Sequence, residues 1–252
     1  MPQAMPCGPK TRPLTKKRSD NDSTPLILAL ETATKACSVA LGQGEEILAS
    51  RDLAADAYLH SEKLHLFIEA VLEEAQITAL QCDAFALGAG PGSYTGLRIG
   101  TAAAKGLAFA ANKPLLTVSS LTVLARAAQR ARPEEKLRPT LCLMDARRDE
   151  YYAALYSAEG KRLWGAKALQ NEALLPLLQD QGPCNLVGDG AAKFRQLNPG
   201  REDVDLGIPY PSARDLIPLA LQAHRRGETA DLAYFEPHYL KEFQAIKAKS
   251  RY

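Results

Sequence analysis

The stretch from residue 87 to residue 111 constrains the fold of this chain more than any other part of the sequence. An apolar strand ends there at Gly88, and the turn that follows is built on Gly90, Pro91, Gly92 and Ser93. The turn leads into a helix, with Ser93 or Thr95 as its N-cap, in which every fourth residue is small: Gly96, Gly100, Ala104 and Ala108. Glycine inside a helix costs about 1 kcal/mol relative to alanine, so two glycines on one stripe indicate that another backbone passes close to it. That neighbour is the chain's own core, a nucleotide or a second subunit.

Composition narrows the class of protein. With 252 residues and 46% hydrophobic side chains, the chain can bury the core of one large domain or of two lobes. Its five cysteines never form a C-x-x-C pair, which favours a reducing compartment over a disulfide framework or a zinc site. No apolar run is long enough to span a membrane, and the polar beginning of the sequence does not resemble a secretory signal. We therefore predict a cytoplasmic protein without membrane contacts.

Two parts of the sequence repeat one pattern of strands. The apolar run 26–30 predicts a buried strand that ends at Glu31, and a polar turn and two further strands follow. Near Pro139 the pattern starts again with an apolar strand that ends at Asp145. At a constant offset Glu31 matches Asp145, which predicts an α/β protein with two similar lobes, the second of them abbreviated.

The sequence divides accordingly. Residues 1–24 predict a disordered basic leader, residues 25–132 an N-terminal lobe with the glycine-rich helix, and residues 133–210 a C-terminal lobe. Residues 211–227 predict a helix that packs back on the lobes, and residues 228–252 an extended segment and a basic tail. We expect solvated tails rather than RNA-binding arms, because no basic stripe marks the body of the chain.

The glycine-rich turn matches no standard catalytic or phosphate-binding motif. A dinucleotide-binding loop needs glycine where Ser93 stands, and a P-loop needs Ser or Thr directly after Lys105. Pro91 breaks the nucleophile elbow of a serine hydrolase. His60 and His65 are five residues apart, which is not the spacing of a helical metal pair. A tight turn with close packing is therefore favoured over a phosphate site, and we predict no metal site.

The two strand-end acids offer one alternative. Glu31 and Asp145 can face each other across a cleft between the lobes, where such a pair would hold Mg²⁺ or position a water molecule. The candidate vestigial nucleotide cleft comprises Glu31, Thr32, Thr34, Asp145, Gly188 and Gly190. Each acid can equally accept N–H groups of its own turn, and both interpretations stay open.

Four segments carry a resemblance to a known family. ILALETATKACSVAL, GAGPGSYTGLRIGTAAAKGLAFA, LMDARRDEYYAALY and EPHYL occur in that order. Together they resemble the TsaB family, also called YeaZ, over roughly residues 26–240. The resemblance implies the actin/hexokinase/Hsp70-like (ASKHA) ATPase fold with two ribonuclease-H-like lobes.

The resemblance also implies a function. TsaB proteins are non-catalytic subunits of the machinery that makes threonylcarbamoyladenosine in tRNA, beside a TsaD-like catalytic subunit and a TsaE-like ATPase. It implies no intrinsic cofactor, with ATP and metal on the partner subunits, and contact with tRNA only through the complex. TsaD-like proteins carry a metal-binding His-x-x-x-His where this sequence has Ser120 and Leu124, which cannot replace imidazole ligands. Glu31 stands where aspartate is usual, and Ala89 where many relatives have arginine.

Two hypotheses follow. In the first, the small-residue stripe and the preceding helix pack against a TsaD-like partner, or form a homodimer when the chain is alone. The predicted interface residues are Gly96, Gly100, Ala104, Ala108, Leu64, Phe67, Ile68 and Val71. In the second, the chain is a nucleotide-dependent phosphotransferase or a metallopeptidase of the same fold that uses Glu31 and Asp145.

Overall fold

The computed structural model describes residues 24–54, 59–131, 138–147 and 149–241. Five strands of the first half form one sheet: β1 (Leu26–Glu31), β2 (Ala36–Gln43), β3 (Glu46–Ala54), β4 (Ala84–Gly88) and β5 (Leu115–Val118). Their order is β3-β2-β1-β4-β5, and β1 pairs antiparallel with β2 and parallel with β4. Both faces of β1 and β4 are covered, as continuous apolar runs require. The helices of this half are α1 (His60–Glu74), α2 (Tyr94–Ala111) and α3 (Ser120–Ala131).

The second half forms a second five-stranded sheet. Its strands are β6 (Thr140–Asp145), β7 (Glu150–Tyr156), β8 (Arg162–Gln170), β9 (Asn185–Val187) and β10 (Val204–Asp205). The sheet order is β10-β9-β6-β7-β8. The helices are α4 (Asn171–Leu174), α5 (Ala191–Leu197) and α6 (Ala213–Arg225).

The two halves have the same topology. Each runs through three strands, a helix, a short 3₁₀ turn, a strand, a helix, a strand and a final helix. In both sheets the first strand of the half is central and the third lies at one edge. This duplication confirms the predicted pair of ribonuclease-H-like lobes of the ASKHA fold. The second lobe is abbreviated as predicted, since α4 has 4 residues where α1 has 15, and α5 has 7 where α2 has 18.

The lobes meet over a shared apolar cluster. Leu121 and Leu124 of α3 lie in it together with Cys142 and Met144 of β6. The hydroxyls of Thr122 and Tyr156, one from each lobe, are 2.8 Å apart beside it. Burial of this kind is worth roughly 25 cal/mol per Å² of apolar surface, so the cluster holds the two lobes together.

The last helix returns to the first lobe. Ser212 is the N-cap of α6, and its Oγ accepts a hydrogen bond from the Arg214 N–H at 3.2 Å. The apolar side of α6 packs on the first sheet, and the buried Asp215 carboxylate receives the Arg130 guanidinium of α3 at 2.7 Å. The predicted leader up to residue 23 and the basic tail from residue 242 lie outside the described residues. Among the described helices, none combines the length and the apolar character needed to cross a bilayer.

Candidate functional site

The loop between β1 and β2 is where the candidate nucleotide cleft begins, and its polar groups are already engaged inside the lobe. Glu31 is fully buried. Its Oε1 accepts from the Ala33 N–H at 2.8 Å and its Oε2 from the Ser120 hydroxyl at 2.9 Å. Burial raises the pKa of Glu31 to about 7, although these hydrogen bonds act in the opposite direction. The carboxyl group therefore ties the loop to the start of α3.

Two neighbouring threonines are also turned inward. Thr32 is fully buried and its hydroxyl donates to the Gly96 carbonyl at 2.9 Å. The Thr34 hydroxyl accepts from the Ala36 N–H at 3.2 Å, and its carbonyl accepts from the His60 ring at 2.7 Å. Three of the six predicted cleft residues, Glu31 included, thus hold the loop against α1, α2 and α3.

The glycine-rich turn packs on the same loop. The Ser93 N–H donates to the Ala33 carbonyl at 2.7 Å, and Ser93, one of the two predicted candidates, is the N-cap of α2. A Cβ atom on Gly96 or Gly100 would collide with Thr32. The close neighbour of the small-residue stripe is therefore the chain's own β1–β2 loop. The interpretation that this stripe itself faces a second subunit is wrong for the folded chain.

The other residues of the predicted interface lie mainly in the core. Leu64, Ile68, Val71, Ala104 and Ala108 are buried in the apolar cluster between α1, α2 and the first sheet. Phe67 is half-buried against the same cluster. Their helical spacing marks the face that the two helices turn towards the sheet. Because a residue at or near zero exposure cannot touch a partner, any docking surface must lie on the opposite side of these helices.

That opposite side carries exposed apolar residues among charged ones. Leu66 of α1 is 54% exposed, and Phe109 of α2 is 80% exposed. The helix α2 also presents a second line of small residues, Ala102, Gly106 and Ala110, all exposed. Nothing lies within 4 Å of the place where a Gly106 side chain would start. Sequence reasoning missed this line, although its four-residue spacing is visible in the sequence.

The second acid of the predicted cleft has a different environment. The Asp145 side chain is 44% exposed and lies 3.9 Å from Lys193. Its backbone N–H donates to Asp189, in the turn that holds Gly188 and Gly190, at 2.8 Å. Glu31 and Asp145 thus lie in different environments, since Glu31 is fully buried and the Asp145 side chain is exposed to water. Within the described residues, no group of three or more His, Cys, Asp or Glu side chains could hold a metal ion.

The two residues that stand where TsaD-like proteins have metal-binding histidines have structural roles in this chain. Ser120 is fully buried and donates to Glu31, and Leu124 is fully buried in the cluster between the lobes. A hydroxyl and an isobutyl group in these places bind no metal. The space between the lobes is filled by the chain's own side chains at this point.

A groove lies along α2, next to the exposed line of small residues. It is about 870 Å³ in volume. Its second wall is formed by residues between 235 and 241, which belong to a segment that we call the C-terminal strap, residues 228–241. Lys105 of α2 donates to the Ala233 and Phe235 carbonyls of the strap at 3.3 and 3.2 Å. The rings of Tyr94 and Tyr239 pack with their centroids 4.9 Å apart. Sequence reasoning placed an extended segment here but predicted no groove.

Comparisons with known proteins agree with this architecture. Residues 53–248 match the family described as "TsaD: tRNA N6-adenosine threonylcarbamoyltransferase". Among curated proteins, the "tRNA threonylcarbamoyladenosine biosynthesis protein TsaB" of Escherichia coli is 32% identical over 232 residues, which are 88% of this chain and 96% of that protein. The protein of the same name from Haemophilus influenzae is 30% identical, over 85% of this chain and 93% of that protein.

The solved structures give the same result. The structure titled "YeaZ from Pseudomonas aeruginosa" superimposes with a TM-score of 0.71 at 32% identity, over 86% of this chain and all of that one. Relatives above 30% identity that are matched over nearly their full length share the fold and the ancestry of this sequence, and they confirm the resemblance seen in its motifs. The chain belongs to the TsaB (YeaZ) family.

Proposed function

We propose that this chain is a non-catalytic scaffold or activator subunit in the formation of N6-threonylcarbamoyladenosine in tRNA, and that it binds a TsaD-like catalytic subunit. The names of its relatives assign them to this biosynthesis. They are named as biosynthesis proteins, whereas the broader family description names a transferase. This difference favours an accessory subunit over the subunit that catalyses the transfer.

The observation that carries the proposal is a set of exposed apolar and small residues on α1 and α2. We call Leu66, Ala102, Gly106, Phe109 and Ala110 the docking face. Exposed apolar residues that lie together mark interaction sites on soluble proteins. The small residues leave the α2 backbone uncovered, so a helix of a partner can approach it closely. In the absence of the partner, the same face closes a homodimer.

The filled space between the lobes supports a non-catalytic role. The enzyme hypothesis requires the Glu31 carboxylate to contact a nucleotide or a metal ion. In the folded chain this carboxylate is buried and accepts hydrogen bonds from Ala33 and Ser120. We therefore assign ATP and metal to the TsaD-like and TsaE-like partners and no cofactor to this chain. In this arrangement tRNA reaches the chain through the complex.

The test is a single substitution on the docking face. Gly106→Arg adds a long side chain to the docking face, and nothing lies within 4 Å of the position of its Cβ atom in the free chain. Arginine is a better helix former than glycine by about 0.8 kcal/mol, so the thermal midpoint of the free chain should stay equal or rise. Co-purification with the cell's TsaD homologue should fall at least tenfold.

Ala192→Arg is the matched control. Ala192 is an exposed alanine of α5, in the second lobe, and the substitution adds the same charge away from the docking face. The Ala192→Arg chain should bind the partner like the unmodified chain. A Gly106→Arg chain that still co-purifies in full would show that the docking face is wrongly assigned.

A further inference from the structure

The groove between α2 and the C-terminal strap adjoins the docking face, with which it shares Ala102, and it lies outside the apolar cluster between the lobes. The strap is fixed at several points along the first lobe. The Ala230 N–H donates to the Leu115 carbonyl at 2.8 Å, and the His238 N–H donates to the Ala89 carbonyl at the same distance. Together with the Lys105 contacts and the Tyr94–Tyr239 ring pair, these bonds make both walls of the groove part of the fold.

Three donors of α2 line one wall. Arg98, Thr101 and Lys105 are separated by three and four residues, so they lie on one helix face. Within the described part of the chain, neither Arg98 nor Lys105 forms an ion pair. Thr101 is buried, with 8% of the residue exposed, and its hydroxyl has no hydrogen-bond partner among the described residues. A buried hydroxyl without a partner costs free energy, and a bound oxyanion would satisfy it.

The other lining residues favour an extended ligand over a single ion. A volume of about 870 Å³ is far larger than one inorganic anion needs. The Arg98 guanidinium lies 5.3 Å from the centre of the Tyr94 ring, and Tyr239 extends the aromatic surface. Cations that follow a backbone, with aromatic rings on which bases stack, are the combination found in grooves for single-stranded nucleic acid. Hydroxyl groups also contribute commonly to phosphate contacts.

The charge of the groove has the sign that such a ligand needs. Its lining holds three cations and one acid, Glu236. One of the cations, Lys241, forms an ion pair with Glu150, whereas Arg98 and Lys105 form none among the described residues. A polyanion that follows α2 from Arg98 to Lys105 would therefore meet positive charge along its path.

We infer that this groove binds a segment of RNA, with phosphates at Arg98, Thr101 and Lys105 and an unpaired base against Tyr94 or Tyr239. The inference deepens the proposed function, on which it rests, because that function places the chain in the modification of tRNA. It replaces contact through the complex alone with a direct contact by this subunit.

The test uses an unmodified tRNA transcript and the full chain, both alone and bound to its partner if the complex forms. Binding is measured by fluorescence anisotropy over a series of salt concentrations. Arg98→Gln should weaken binding about tenfold and should reduce the slope of log K against log salt by about 0.7 to 0.9, as the loss of one phosphate contact requires. Thr101→Val should weaken binding about threefold with no loss in thermal midpoint, because it removes a hydroxyl that has no partner in the free chain.

Arg195→Gln, on the exposed side of α5, is the matched control and should leave the affinity and the slope unchanged. Unchanged RNA binding in both the Arg98→Gln and the Thr101→Val chains would overturn the inference. So would full displacement of the RNA by a few millimolar inorganic phosphate, which would indicate a small-anion site. Loss of partner binding in place of RNA binding would assign the groove to an acidic segment of the partner. An intact complex with Gly106→Arg would contradict only the docking face, so the two proposals can fail separately.

Discussion

Glu31 shows how one buried acid can hold a loop and also weaken the fold. Its pKa in the folded chain is about 7, against an ordinary value of 4.5, and burial is the main cause. Between these two pH values the folded chain keeps a proton that the unfolded chain has released. The free energy of unfolding therefore falls as the pH rises from about 4.5 to about 7, and it stays at the lower level above that range.

This sign gives a direct prediction for Glu31→Gln. The amide cannot ionise, so the variant should lack this part of the pH dependence. Its stability relative to the unmodified chain should improve by about 3 kcal/mol between pH 4.5 and pH 8, the value of the shift at about 1.4 kcal/mol per pKa unit. Urea unfolding of both chains at pH 5, 6, 7 and 8 measures the difference. Parallel stability curves for the two chains would contradict it.

At the scale of the element, α2 shows what a sequence can and cannot predict. A helix after the glycine-rich turn, an N-cap at Ser93 or Thr95 and a close approach at Gly96 and Gly100 follow from residue types alone. What the small-residue stripe packs against cannot be predicted in this way, because periodicity identifies residues that share a helix face but not the neighbour of that face. The helix has two lines of small residues, and only the folded chain shows that one is buried and the other exposed.

The candidate cleft has the same limitation. The repeat correctly placed Glu31 and Asp145 at the ends of β1 and β6. It could not predict that Ser120, almost ninety residues away, would close over Glu31. Long-range hydrogen bonds of this kind leave no local pattern. The groove beside α2 was missed for a related reason, since its second wall comes from residues 235–241, far from α2 in the sequence.

The two glycine environments of α2 predict opposite effects of one substitution. Gly106→Ala adds a methyl group in open space and should stabilise the chain by up to about 1 kcal/mol. Gly100→Ala forces a methyl group against Thr32 and should destabilise it by about 1–3 kcal/mol, the usual range for overpacking. Urea midpoints measure both, and each variant is the control for the other. Equal shifts of the same sign would mean that Gly100 does not pack on the β1–β2 loop.

At the scale of the whole molecule, the two lobes share one apolar cluster. Leu124 of the first lobe is fully buried against Met144 of the second, and Trp164 packs at the margin of the same cluster. Lobes that share a core should unfold together. Trp164 is the one tryptophan of the chain, so its fluorescence reports on the second lobe. Far-UV circular dichroism is dominated by the longer helices of the first lobe.

We predict that both signals have the same urea midpoint in the unmodified chain. Leu124→Ala leaves a cavity where the lobes meet and should lower the free energy of unfolding by about 2–5 kcal/mol, with the two midpoints moving together. Leu197→Ala, which truncates a leucine of α5 that is 52% exposed, is the matched control and should change stability by much less. If the fluorescence and dichroism midpoints separate in the Leu124→Ala chain, the lobes are independent folding units. In that case the shared cluster would not hold the two lobes together.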